Sequence, residues 1–241
     1  MKRLVDVIAS VGGLVLLSPF LLVVMFLVWL QDFHSPFYIA PRVGRNGRIF
    51  KMVKLRSMVI DADKSCVDST SSDDQRVTSV GRFVRKYKLD EVTQLWNVLI
   101  GDMSLVGPRP NVKRETGLYT EVEKDLLKVK PGITDFASIV FSDENDILVG
   151  CQDPDIGYNQ LIRPWKSRLG LLYVQYGGVL LDIQLVFVTL LAIFSRDYAL
   201  RGVNRLLLQL NAPTDIIRVS KRQDELLPFP PPGSDSVVVS R

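Results

Sequence analysis

Cysteine and histidine are nearly missing from the 241 residues, which contain two cysteines, Cys66 and Cys151, and one histidine, His34. The two cysteines lie far apart, too few for a disulfide framework and without the spacing of a thiolate metal site. A single histidine makes a zinc centre improbable. A reducing, cytoplasm-facing environment fits this composition. A strong excess of charge of one sign is also missing, since 30 Lys+Arg stand against 26 Asp+Glu. The basic residues are clustered all the same. Between Gln31 and Ile60 the only acid is Asp32, while Arg42, Arg45, Arg48, Lys51, Lys54 and Arg56 follow in close succession; Arg82, Arg85, Lys86 and Lys88 form a second group. Such patches suit a nucleic acid, a phosphorylated small molecule or an acidic membrane surface, with a solvated charged face as the plain alternative. No recognised nucleic-acid-binding motif accompanies them, so nucleic acid is not the expected partner.

The longest apolar segment covers residues 4–30, in which only Asp6 is charged. Its length suits a bilayer. No small-residue cleavage site follows it, which speaks against a signal peptide. From Val11 to Leu30 it has hardly any polar face, which speaks against a core helix. A membrane helix remains, spanning or re-entrant. Lys2 and Arg3 precede it and the Arg42–Arg56 group follows, so the positive-inside tendency puts both ends on the cytoplasmic side. Ser18-Pro19 falls near its middle. Pro19 has no N–H for the carbonyl of Val15, and the Ser18 hydroxyl is expected to bond back to the carbonyl of Leu14. The expectation is a re-entrant helix over residues 1–32, broken at Ser18 and Pro19, with an ordinary proline-kinked spanning helix as the alternative.

Residues 37–60 read as a short β-hairpin around Arg45-Asn46-Gly47, carrying Lys51 and Lys54 near one another. Residues 61–78 are polar and aperiodic, a surface loop in which Asp73 and Asp74 face solvent. Val80, Phe83, Val84 and Tyr87 have helical spacing, and a second helix is predicted from Leu89 to Gly101. Asp90 and Glu91 fall in its first turn. Acids there complement the helix dipole. The same dipole and the nearby cations also keep a carboxylate ionised, as a nucleophile or metal ligand requires. Further on, Pro108 and Pro110 bracket Arg109, a preorganised guanidinium suited to phosphate.

Lys2-Arg3, Ser18-Pro19, FKMVKLRSM at 50–58, Arg85, LDEVTQLWNVLIGDMSLVGPRP at 89–110, PGIT at 131–134 and LLDIQLVFVTLL at 180–191 together resemble the monotopic phosphoglycosyl transferases, the bacterial sugar transferases that begin glycoconjugate assembly. The resemblance runs over about residues 1–195. It implies transfer of a phosphosugar from a UDP-sugar to a polyprenyl phosphate with release of UMP. It further implies Asp90 as the nucleophile, Glu91 as its helper, and Mg²⁺ held by Asp90 and Glu91. Lys54, Arg85, Pro108, Arg109 and Pro110 are then expected to form the substrate site. The place implied is the cytoplasmic face of the bacterial inner membrane, among membrane lipids, with a homodimer left open. The chain departs from the family at two positions: Ser142 stands where an arginine is common, and Gly170 where an acid is common. A distinct sugar pocket using Asp135, Ser138, Asp143 and Glu144 is the expected consequence, and a non-catalytic membrane scaffold is the rival reading.

The expected fold is α+β and mainly helical. Residues 33–218 form the catalytic domain, with residues 169–195 an interfacial amphipathic helix or a core helix. The proline-rich tail, residues 219–241, is expected to be disordered.

Overall fold

Asn46 and Gly47 both take positive φ, 57° and 76°, the backbone pair that matches the twist of a tight hairpin. They join β1 (Phe37–Val43) to β2 (Ile49–Leu55), antiparallel with Val43 opposite Ile49 and Phe37 opposite Leu55. The computed structural model describes residues 1–62 and 74–239; Asp73 lies outside the described residues. Before the hairpin comes α1 (Lys2–Leu30). After it come α2 (Ser79–Lys86), α3 (Leu89–Val92), α4 (Leu95–Ile100), β3 (Ser104–Val106), α5 (Lys113–Gly117) and β4 (Gly132–Thr134). The remainder is helical: α6 (Phe136–Val140), α7 (Glu144–Ile147), α8 (Pro154–Gly157), α9 (Arg163–Tyr176), α10 (Val179–Phe194), α11 (Arg196–Gln209) and α12 (Thr214–Ser220). The fold is thus α+β and mainly helical. Phe136, Phe141, Trp165, Leu169, Leu185 and Leu207 build its main core from α6, α9, α10 and α11.

Three expectations need correction. Lys51 and Lys54 do not share a face, because an odd spacing on a strand puts side chains on opposite sides. Lys51 is exposed, while Lys54 lies on the side of buried Phe50 and Met52. The helix predicted from Leu89 to Gly101 is divided between α3 and α4, since the Thr93 hydroxyl engages the carbonyl of Val53 on β2 and that of Asp90, each at 3.2 Å. Gly101 does end α4, at φ 96°. The tail does not hang free. Phe229 stacks on Trp165 with ring centroids 4.6 Å apart, Gln160 donates to the carbonyl of Val238, and Arg168 donates to that of Pro230. Its aromatic and carbonyl groups find partners on α9 and on the turn just before it that the tail's composition does not announce.

The first helix is uninterrupted, contrary to the expected break. The Ser18 hydroxyl donates to the carbonyl of Val15 at 2.8 Å rather than to that of Leu14. Val15 is the acceptor that Pro19 leaves without its N–H, so the serine repairs the proline's defect. Both ends of α1 are attached to the same body. At the start, Lys2 donates to Asp182 (2.6 Å), the Tyr173 hydroxyl (2.8 Å) and the Val106 carbonyl (3.1 Å). Arg3 caps the last carbonyls of α4, at Val98 and Leu99, and Asp6 accepts from Ser104 and the Leu105 N–H. Near the other end, Leu21, Val24 and Val28 pack with Leu55 and Val84. Between these attachments Val15, Leu16, Phe20, Leu22 and Val23 are exposed, as are Leu180, Ile183, Phe187, Leu190 and Ile193 along α10. On α10 one face is core, as the second reading expected, with Leu181, Leu185 and Val188 buried, and the other is bare and apolar.

β3 and β4 pair in parallel, Ser104 with Gly132 and Val106 with Thr134. The chain then leaves β3 through Gly107 into Pro108-Arg109-Pro110. A Cβ on Gly132 would lie 2.1 Å from the backbone nitrogen of Gly107. No side chain can yield there, because the obstacle is backbone. Gly132→Ala is expected to destabilise the protein by about 3 kcal/mol, measured as a lower urea midpoint in detergent. An unchanged midpoint would contradict the close approach.

Candidate active site

Four of the residues singled out in the sequence converge beside the hairpin. Lys54 projects from β2, Asp90 and Glu91 from the single turn of α3, and Arg109 from the loop after β3. Lys54 Nζ lies 3.8 Å from Asp90 Oδ2, and Arg109 donates to Glu91 Oε1 at 2.8 Å. Lys88, just before α3, takes φ 55°, a left-handed turn that separates α2 from α3 and starts the carboxylate-bearing turn afresh. Thr93 then ties α3 to β2 through Val53, adjacent to Lys54. Pro110 holds Arg109 to an extended backbone. Every element of the constellation is anchored locally.

Burial raises the cost of ionising Glu91, but Arg109, Lys54 and Lys88 more than offset it and hold its carboxyl at about 2. Arg109 is held even more firmly protonated by Glu91 than a free guanidinium would be, against its own burial. Lys54 behaves differently. Burial and the Arg109 charge push its ammonium below the ordinary lysine range, with Asp90 and Glu91 opposing. The site therefore holds an ionised Glu91, a permanent guanidinium and one cation poised to lose its proton at high pH.

The other expected residues are placed less directly. Arg85 donates from Nε to Ser57 at 2.9 Å, and Asp90 acts on it by charge, not by a contact. Pro108 packs in the interior, where a Cβ on Gly170 would lie 3.7 Å from it and 2.7 Å from Leu126. A side chain at the position where relatives were expected to carry an acid would meet the end of the Leu126 side chain, which must shift to admit it. Asp135 and Ser138 form a capping box at the start of α6, with Ser138 N–H donating to Asp135 at 2.7 Å and Asp135 N–H to Ser138 Oγ at 2.8 Å. Asp143 pairs with Arg196 at 2.7 Å and Arg222 at 3.2 Å. Of the four residues expected around the sugar, Asp135 and Ser138 line the cavity that Arg109 also lines, and Arg109 acts on the buried Asp135 by charge. Glu144 shares the same field, its carboxyl raised by burial and brought below the usual range by Lys166, Arg109 and Lys88 together.

Lys166 was missed in the sequence. It pairs with Glu144, lies over the Tyr158 ring at 5.3 Å, and lines a cavity of ≈ 50 Å³ together with Arg109. No local motif marks it, because it meets Glu144 from 22 residues away.

Two adjacent hard carboxylates suit Mg²⁺, which takes one or two carboxylates and completes its shell with water and phosphate oxygens. Among the described residues no cluster of three or more His, Cys, Asp or Glu side chains is present to hold an ion alone. The residues therefore fit a metal that shares its shell with a phosphorylated ligand.

Residues 1–196 match the bacterial sugar transferase family. The exopolysaccharide production protein ExoY of Sinorhizobium fredii is 35% identical over 207 residues, covering 80% of this chain and 84% of that protein. The undecaprenyl-phosphate glucose phosphotransferase of Komagataeibacter xylinus is 36% identical over 204 residues, 81% of this chain and 36% of that protein. The undecaprenyl-phosphate galactose phosphotransferase of Salmonella typhimurium is 33% identical over 214 residues, 83% and 41% respectively. The chain spans most of the first relative and less than half of the other two. The match takes in α1, the hairpin, Asp90, Glu91 and Arg109, and the chain belongs to the bacterial sugar transferase family.

Proposed function

We propose that the protein transfers a sugar 1-phosphate from a UDP-sugar to undecaprenyl phosphate, releasing UMP, as the initiating step of polysaccharide or glycoconjugate synthesis. The observation that carries this reading is the pair of ionic contacts Lys54–Asp90 and Arg109–Glu91, set in a chain with bare apolar faces on α1 and α10. In the first half-reaction an Asp90 oxygen attacks the β-phosphorus of the donor. The bond from that phosphorus to the oxygen bridging to the α-phosphate breaks, and UMP leaves with the electron pair. In the second, an oxygen of the lipid phosphate attacks the same phosphorus and the Asp90 carboxylate is released. Lys54 and Arg109 receive phosphate oxygens, and Arg85 adds positive potential behind Asp90. Mg²⁺ held by Asp90 and Glu91 would neutralise diphosphate charge when bound. Glu91 stays ionised through the working pH range and can serve that role throughout.

The attachments of α1 support a place of action at the membrane surface. A helix whose two ends both contact one body cannot cross a bilayer with that body on a single side. The attachments of Lys2 and of Val28 therefore support a monotopic arrangement on the cytoplasmic face of the bacterial inner membrane, with exposed apolar residues of α1 and α10 in lipid. A soluble nucleotide sugar and a membrane-bound phosphate would then meet at the same site.

Asp90→Asn is expected to abolish UMP release across a panel of UDP-sugars with Mg²⁺ and polyprenyl phosphate, together with any trapped phosphosugar adduct; turnover like wild type would remove Asp90 as the nucleophile. Lys54 contributes a positive charge that is lost as pH rises through its lowered pKa. The alkaline limb of kcat/KM should therefore lie below the ordinary lysine value, and Lys54→Arg should move that limb upward. A limb that stays in place would assign it to another group. In inverted membrane vesicles, a tag ahead of residue 1 and a cysteine at Arg48 should be labelled from the same face; labelling from opposite faces would require a spanning α1.

A further inference from the structure

We infer that Lys166 is a substrate-binding residue of this site, a further cation for a substrate phosphate, and that the C-terminal segment beyond the family match positions it. The inference rests on the transfer reaction proposed above. Lys166 is a largely buried ammonium, its side chain 13% exposed, and its ion-pair partner is Glu144. Glu144 also feels the charges of Arg109 and Lys88, and Arg109 and Lys166 line the same cavity. Three cation–carboxylate pairs thus share the site: Lys54 with Asp90, Arg109 with Glu91, and Lys166 with Glu144. In this arrangement Lys54 and Arg109 are each opposed by one of the proposed reacting carboxylates, whereas Lys166 is opposed by a carboxylate with no part in the proposed chemistry. A phosphate entering beside Arg109 can take the ammonium from Glu144 without disturbing Asp90.

A lysine on a flexible stem binds well only if its base is fixed. Here the backbone around Lys166 is pinned on two sides. On one side Arg163 and Ser167 both bond Glu123, Arg163 Nη2 at 2.5 Å and the Ser167 hydroxyl at 2.6 Å. On the other, Trp165 stacks on Phe229 and the Arg168 guanidinium lies over the rings of both. The π-helical turn Tyr158–Ile162 carries the aromatic ring under Lys166, and Gln160 within it accepts from the Phe229 N–H at 3.0 Å and donates to the Val238 carbonyl at 2.7 Å. Phe229 and Val238 lie beyond residue 196, where the family match ends. The tail is therefore a strap over the segment that presents Tyr158 and Lys166. Phe229 is a positioning residue, not a catalytic one.

The test measures UDP affinity without turnover, and separately KM for undecaprenyl phosphate, in Lys166→Met, Lys166→Arg and Glu144→Gln, with the thermal midpoint of each. Loss of one charge-assisted contact should weaken binding about tenfold in Lys166→Met. Lys166→Arg should restore most of it, and Glu144→Gln should tighten binding by releasing the ammonium. Weakened UDP binding assigns Lys166 to the donor, and unchanged UDP binding with a raised acceptor KM assigns it to the lipid phosphate. If neither constant moves in Lys166→Met, or if Glu144→Gln weakens both, the inference is overturned. Phe229→Ala should weaken the same constant in wild type but add no further loss in the Lys166→Met background; additive losses would overturn the positioning role. Failure of wild type to release UMP from any donor would sink the proposed reaction alone, since UDP binding is read independently.

Discussion

The ammonium of Lys2 joins four parts of the molecule at one point. It belongs to α1, and it meets the β3 carbonyl of Val106, the α9 hydroxyl of Tyr173 and the α10 carboxylate of Asp182. Tyr173 completes the knot by donating to the second oxygen of Asp182 at 2.6 Å. Asp182 is buried while Lys2 is partly exposed; such a pair adds little net stability, but removing the lysine would leave the buried carboxylate without its cation. The pair's value here is register. It fixes the two bare apolar helices, α1 and α10, relative to each other, and it holds β3 three residues before Arg109. The bare apolar surface and the loop that carries Arg109 are thereby set by one contact.

From that fixed point the site is built from short pieces, each with its own restraint. The left-handed Lys88 starts the carboxylate turn, Thr93 ties that turn to the strand of Lys54, and two prolines limit Arg109. Charges fixed in this way are preorganised, as the phosphate transfer proposed above would require. Opposite charges also keep the site near neutrality, so that Glu91 stays ionised despite its burial. Lys54 bears the cost, with an ammonium held less tightly than usual.

The second half of the chain supplies the enclosure. Gly170 lets α9 lie against Pro108 and Leu126, and the C-terminal segment wraps the outer side of α9. The pairing of Asp143 with Arg196 and Arg222 serves this scaffold, while Asp135, Ser138, Glu144 and Lys166 lie toward the charged groups of the first half.

Local chemistry made much of this legible in advance. A hairpin at Asn46-Gly47 follows from the φ values those residues tolerate, carboxylates at a helix start follow from the dipole, and a rigid Arg109 follows from its flanking prolines. An apolar stretch of membrane length needs only a count. The sequence by itself thus determined which groups carry charge, where the chain turns, and which segment seeks lipid. The tertiary structure alone decided that both ends of α1 are tied to one body, that Thr93 divides a helix in two, that Asp143 and Glu144 face opposite partners, and that Phe229 orders a proline-rich tail on Trp165. Each of those outcomes depends on a partner tens of residues away, where contact is set by how the core packs and no neighbouring residue records it.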